Sequence, residues 1–470
     1  MRLVALTLAL VPFVPRTLPA QRPDSLFEEV RKYIAVDTAV IALTHVQLLD
    51  GTGGPGKSDQ TILIRSGRIA EVGPAATVKV PDGIHAMDLS GHTVIPGLVG
   101  MHNHLFYTAA GGRAAQMSYT GPRLYLASGV TTIRTAGGRS PYAEINLRDN
   151  IKRGRVPGPR IHLTAPYITG EPGGGSMDVV TSPEEARRFV AYWASEGATW
   201  IKAYTDIRQA ELKAAIQEAH KRGVKVTGHL CSVSFREAVA LGIDNLEHGM
   251  LTASDFDPSK QADLCPVTVG QTLPDREAAR EVIQAMVKRG VSMTSTLAVY
   301  EPFVARRPTK DPRVLNAMAP EVRQSYLKIR NEIDSAGTGS ISGESFAGAM
   351  AFEKTFYEAG GLLAAGVDPT GLGGALAGYG DQRNYELFIE AGFSPAQAIR
   401  IMSLNGARIL GVQQRLGSVE RGKLADLVVL KGDLTEDRAV IRNPTLVFKD
   451  GIGYDPAKLI ESVQGRVGID

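Results

Sequence analysis

From Val94 to Pro369 the chain repeats one unit, a short apolar run followed by a turn and a stretch with helical spacing. The apolar runs predict strands at Val94–Leu105, Val130–Thr135, Arg160–Ile168, Trp200–Thr205, Lys225–Leu230, Asn245–Gly249, Ser292–Val299 and Leu362–Pro369. Segments such as Ser182–Glu196, Gln209–Arg222 and Arg276–Arg289 separate most of them and carry apolar residues three and four apart, the period of an amphipathic helix. Ser182 suits a helix cap, Pro183 the first helical position, and Gly223 the end of the helix before it. Strands that alternate with helices pair in parallel, because each helix carries the chain back along the sheet. Eight such units predict an α/β fold, a (β/α)8 TIM-type barrel over residues 94–412.

The flanks have a different texture. Asp50-Gly51-Thr52-Gly53-Gly54 is turn chemistry, and Thr61-Ile62-Leu63-Ile64 followed by Ser66-Gly67-Arg68-Ile69 reads as a hairpin. Ala425–Leu430 and Thr445–Gly451 return the same pattern near the other end. Residues 39–93 and 413–455 are therefore expected to form one small composite β-sandwich domain. At the start, Met1-Arg2, the apolar run Leu3–Val14 and Leu18-Pro19-Ala20 have the layout of a cleavable signal peptide over residues 1–20, which implies export to the periplasm or the extracellular space. The alternative, a buried N-terminal helix, is disfavoured by Pro12, Pro15 and Pro19.

A net charge of +3 with no block of like charges gives no footing for nucleic acid or an anionic membrane. No other stretch reads as a membrane span. A small-molecule substrate is the expected partner, and a homo-oligomer is left open. Export would permit a disulfide between Cys231 and Cys265, but a chain of 470 residues does not need one, and two buried free thiols are the expected state.

Strands of a parallel barrel are buried on both faces and should be almost wholly apolar. Several here are not. His102 and His104 end the first strand, Lys202 sits in the fourth, His229 ends the fifth, His248 the sixth and Asp368 the eighth. Only the C-terminal rim of a barrel brings such points together. The two-residue period of His102-Asn103-His104 turns both imidazoles the same way, so they can grip one metal ion. A free ammonium at Lys202, inside Trp200-Ile201-Lys202-Ala203-Tyr204, would be costly to bury. Carbamylation by carbon dioxide would convert it to an anionic, carboxylate-like ligand able to bridge two cations. Tyr204 shares the inward face with Lys202 and is expected to meet substrate or to pack beside it. Arg139 and Tyr300, which follow the second and seventh strands, are further candidates for substrate contact. His162 and His220 have no partner pattern and read as structural or surface residues.

The order His-x-His, Lys, His, His, Asp on strands one, four, five, six and eight resembles the amidohydrolase superfamily in its two-metal, carbamylated-lysine form. The flanks Val94-Ile95-Pro96-Gly97-Leu98 and Gly417–Val428 resemble its entry and exit motifs. Ser128–Arg134 and Asn245–Gly249 are similar to the branch that holds Xaa-Pro dipeptidases and imidazolonepropionase-like hydrolases. The resemblance implies two divalent ions, zinc first and manganese or cobalt as substitutes. His102, His104 and Asp368 would hold one ion and His229 and His248 the other, with carbamylated Lys202 and a hydroxide between them. It implies hydrolysis of a C–N bond in a dipeptide or an N-acyl amino acid, Asp368 moving the proton. The alternative is a cyclic-amide hydrolase or a deaminase; deaminases of the superfamily generally work with one metal and lack the bridging lysine. Gly100 and Thr135 stand where many members carry Asp, and the loop Thr169–Gly175 lacks the usual histidine.

Overall fold

The computed structural model describes residues 26–108, 112, 114–175 and 177–469. The expected signal segment 1–20 lies outside the described residues, as does Ser176 at the end of the glycine-rich loop. The chain divides into one mixed sheet drawn from both ends and a parallel α/β layer between them.

The mixed sheet has nine strands. Its order is Ile34–Val36, Ile452–Tyr454, Pro444–Lys449, Leu427–Lys431, His92–Pro96, Val40–Leu48, Lys57–Arg65 and Arg68–Pro74, and His85–Asp88 adds to Val40–Leu48. The two chain ends interlock where Leu427–Lys431 pairs antiparallel with His92–Pro96. Ile41, Leu43, Ile62, Ile64, Val94, Leu427, Val429 and Phe448 share one core beneath it. Ser66 and Gly67, both at positive φ, make the tight turn of the expected hairpin between Arg65 and Arg68.

The parallel strands are Leu98–Asn103 (β1), Val130–Thr135 (β2), Thr164–Thr169 (β3), Trp200–Ala203 (β4), Lys225–Gly228 (β5), Asn245–Glu247 (β6), Ser292–Ser295 (β7) and Leu363–Ala365 (β8). β1 pairs with β2, and β3 through β8 pair in chain order, all in parallel. Helices follow the strands, among them Pro183–Ser195, Gln209–Lys221 and Arg276–Arg289. Ser182 caps the first of these by accepting from Glu185 N.

Of the eight expected strands only Val130–Thr135 keeps its bounds; the others are shorter or divided, and three of them show the physical reason. Val94–Leu105 is two strands, since the chain leaves the mixed sheet at Pro96 and enters β1 at Leu98. The break is at Gly97, where a Cβ would stand 2.2 Å from Thr131 Oγ1. Arg160–Ile168 splits into Arg160–His162, which pairs with β2, and β3, which pairs with β4. Thr164 N donates to Thr135 Oγ1 (2.9 Å), which holds β3 beside β2 across the split. Ser292–Val299 stops at Ser295 and turns into the helix Leu297–Tyr300, because Asn384 Oδ1 accepts from Ala298 N (2.8 Å) and draws the backbone out of the sheet.

Cys231 and Cys265 are joined in a disulfide, which corrects the expectation of two free thiols. The long connection after β6 folds back over the end of β5 and brings the two Cα atoms to 4.8 Å, within bridging range. A separation of 34 residues in sequence carries no sign of that approach.

Candidate metal centre and active site

His102 lies in β1 and His104 just past its end; Lys202 lies in β4; His229 and His248 directly follow β5 and β6; Asp368 follows β8. The structure brings the imidazoles into one row. Ring centroids are 5.2 Å apart for His104 and His102, 4.6 Å for His102 and His248, and 4.4 Å for His248 and His229. Asp368 faces the row, with Oδ2 3.5 Å from His102 Nε2 and Oδ1 3.3 Å from His104 Nε2. Both His248 and Asp368 sit at positive φ, +67° and +47°. Positive φ is uncommon outside glycine, though less so for Asp and His, and it clusters at functional sites.

The outer nitrogen of three imidazoles is already engaged. His102 Nδ1 bonds Glu247 Oε2 (2.8 Å), His104 Nδ1 bonds the Gly137 carbonyl (3.0 Å) and His248 Nδ1 bonds Thr296 Oγ1 (2.6 Å). A carbonyl only accepts, so His104 donates from Nδ1, and its Nε2 faces Asp368. Burial, helped by the charge of Lys202, lowers the pKa of His102 to about 4 and of His229 to about 3. Burial and the neighbouring rings hold His248 well below the ordinary range. All three are therefore neutral at pH 7, the form in which imidazole ligates a metal.

Lys202 is fully buried, and its Nζ makes no hydrogen bond. The nearest acid is Glu247, with Oε1 3.7 Å from Nζ. Burial outweighs that attraction and pulls the ammonium down to about 8, so a useful fraction is the free amine near neutrality. Burial would raise Asp368, but its contacts with the imidazoles of His102, His104 and His248 hold it well below the usual carboxylate range, so it is ionised.

These residues fit a divalent cation. Ligand atoms of His102, His104 and Asp368 all lie within 4.8 Å of one another. Nε2 of His248 and Nζ of Lys202 are buried polar atoms that make no hydrogen bond, as expected of groups built to meet something else.

Sequence reasoning quoted Glu247 and Arg134 only as parts of motifs and missed their work. Glu247 is wholly buried and is met by His102, by Arg134 Nη2 at 2.5 Å and by the hydroxyl of Thr227. The signal that found Lys202, a charge inside an apolar strand, applies equally to both. At Gly100 a Cβ would stand 2.4 Å from Asn103 Oδ1, so the Asn103 side chain fills the space beside that position, with Asp381 3.5 Å from its Nδ2. Thr135 serves the link between β2 and β3.

The rim carries the other candidates. The Tyr204 ring is 4.8 Å from that of His229, and burial with the charge of Asp368 raises its hydroxyl to about 12, leaving it a hydrogen-bond donor. The Tyr300 ring meets His248 at 5.5 Å. Tyr167, which the sequence did not single out, has its hydroxyl 3.4 Å from His104 Nε2. Arg139 is exposed, lies over the Phe106 ring at 5.1 Å, and has no acidic partner among the described residues. His162 belongs to the strand Arg160–His162 and His220 to a surface pair with Asp244 (2.9 Å), both outside the row.

Comparison with known proteins gives one family and one fold. The family model described as "Amidohydrolase family" matches residues 93–452. A dihydroorotase of Mycobacterium tuberculosis is 29% identical over 98 residues, 21% of this chain, and the match spans about a fifth (22%) of that protein's length. Among solved structures, a putative prolidase from Bifidobacterium longum is 27% identical with a TM-score of 0.65, covering 90% of this chain and 98% of that one. A Xaa-Pro dipeptidase with bound methionine in its active site is 23% identical with a TM-score of 0.65, covering 88% of this chain and 100% of that one. Bottromycin amidohydrolase is 19% identical with a TM-score of 0.69, covering 93% and 90%. Below a quarter identity the likeness is one of fold.

Proposed function

The chain belongs to the amidohydrolase family, a family of hydrolases, and from that premise we propose that it is a metal-dependent enzyme cleaving the amide bond of a dipeptide or an N-acyl amino acid. The observation that carries this reading is the meeting of four imidazoles, an ionised Asp368 and a buried Lys202 whose Nζ makes no hydrogen bond, at one set of strand ends. His102, His104 and Asp368 would hold one ion and His229 and His248 the other, zinc first, with manganese or cobalt as substitutes. Lys202, as a carbamate formed on its free amine, would be a ligand to both. When bound, the ions would lower the pKa of a water and polarise the substrate carbonyl.

The chain's own residues do the rest. Asp368 accepts a proton from the attacking water and returns it to the leaving amine. Tyr204 donates its hydroxyl to the substrate carbonyl or carboxylate. Arg139, without an acid of its own, is free to pair with a substrate carboxylate. We read the parallel strands as a closed (β/α)8 barrel. Asp368 N donates to His102 O (2.9 Å) and Gly366 lies against His102, which sets the end of β8 beside β1 and supports closure. The Cys231–Cys265 disulfide supports export from the reducing cytosol. The stretch shared with the dihydroorotase supports a second reading, hydrolysis of a cyclic amide.

The test is a turnover screen of zinc-loaded protein on dipeptides, N-acyl amino acids and cyclic amides, beside Asp368→Asn. The wild type should turn over one class at least 100-fold faster than the variant, roughly the worth of a positioned acid–base group. Equal trace rates for both proteins on every compound would overturn the hydrolase reading.

A further inference from the structure

Three of the four imidazoles are oriented by a hydrogen bond to their outer nitrogen, as metal-ligating histidines almost always are. His229 is the exception, since among the described residues its ring makes no hydrogen bond, and the rings packed on it are those of Tyr204 and His248. The position of that ring is therefore set by its backbone. His229 N donates to Ala203 O (3.1 Å), and two residues later Cys231 is covalently tied to Cys265.

Cys265 sits in the connection of residues 249–275 between β6 and the helix Arg276–Arg289. This connection is fastened across the ends of its neighbours. Asp255 accepts from Phe235 N (2.7 Å) and Arg236 N (3.0 Å), Asp263 accepts from Gln209 N (2.8 Å), and Lys260 Nζ donates to Ser232 O (2.8 Å). The partners belong to the segments that follow β4, which carries Lys202, and β5, which His229 directly follows. The disulfide and the Lys260 bond close on two adjacent residues, 231 and 232, directly beyond His229.

We propose that the Cys231–Cys265 cross-link is a positioning device for His229, fixing the backbone that carries the one imidazole without a hydrogen bond of its own. The inference rests on the two-ion reading above. Its consequence is asymmetric. The His102–His104–Asp368 group lies on other strands with its own supports, so loss of the cross-link should weaken the ion held by His229 and His248 and spare the first.

The experiment titrates the full chain with cobalt(II), followed by its visible absorption and by elemental count, in the wild type, Cys231→Ser/Cys265→Ser and Cys265→Ala. A fourth sample is wild type reduced by a water-soluble phosphine and desalted, which keeps the test open should a variant fail to fold. The wild type should take up two ions. The other three should take up the first with unchanged affinity and the second roughly 10–100-fold more weakly, the usual effect of losing an outer support of a ligand. Two ions bound with wild-type affinities in all samples, with only the melting temperature lowered, would assign the disulfide to stability alone and overturn the proposal. A wild type that takes up no ion would instead overturn the metal reading itself, and this inference with it.

Discussion

At Glu247 one buried carboxylate meets the imidazole of His102, the guanidinium of Arg134, the hydroxyl of Thr227 and, at 3.7 Å, the ammonium of Lys202. Those partners hold it well below the usual carboxylate range against a burial that would raise it. Glu247→Gln would keep the shape, remove the charge and leave Arg134 uncompensated. The expected outcome is metal affinity lowered ~10–100-fold in a chelator competition and stability lowered by about 3 kcal/mol in thermal unfolding. Glu353 is the opposite case. It is buried, neither oxygen makes a hydrogen bond, and burial lifts its pKa to about 8. The folded protein keeps this proton where the unfolded chain, with an ordinary carboxyl at 4.5, releases it. Its contribution to stability is therefore full below the unfolded value and declines as pH rises toward 8. Glu353→Gln should flatten that decline, worth on the order of a few kcal/mol by pH 9, in urea unfolding measured across pH. An unchanged slope would show that the carboxyl ionises freely in the folded state.

The strands stop early, and the stops place the ligands. β8 ends at Ala365, after which Gly366 runs against the β1 backbone and Asp368 turns at φ +47° to face His102 and His104. A Cβ on Gly366 would lie 2.2 Å from His102 N, backbone that cannot step aside. Gly366→Ala should cost about 1–3 kcal/mol or more in thermal unfolding, the price of overpacking, and should weaken metal binding as well, because the clash displaces His102. Normal melting with normal metal uptake would contradict this account of how β8 meets β1. β6 likewise ends at Glu247, and the left-handed turn at His248 separates two neighbours in sequence into two tasks, one holding His102 and one facing Asp368.

At the scale of the molecule, the mixed sheet and the parallel layer are joined by Arg160, whose guanidinium donates to Asp426 (2.9 Å) and Asp450 (2.8 Å). Arg160 is carried by the strand beside β2, and both acids belong to the C-terminal return of the mixed sheet. Arg160→Met would leave the buried Asp426 without its cation and Asp450 with Lys449 alone, 3.3 Å away. It should lower stability by about 3 kcal/mol and could split unfolding into two steps, which calorimetry would resolve. A single unshifted transition would show that Arg160 does not hold the two layers together.

What the sequence determined by itself was the alternation of strand and helix and the identity of the polar residues set into apolar strands. Both are local: period follows from backbone geometry, and a histidine or lysine among Val, Ile and Ala stands out wherever the strand goes. The pattern that named Lys202 and His248 could have named Arg134 and Glu247, which lie in β2 and β6. Tertiary structure alone decided the rest. The break at Gly97 depends on Thr131, more than thirty residues on; the disulfide depends on the path of the connection after β6; the filling of the space at Gly100 depends on a rotamer of Asn103. Hydrogen bonds, close contacts and cross-links are short-ranged in space and indifferent to distance along the chain, so they come into being only when the fold has brought their partners together.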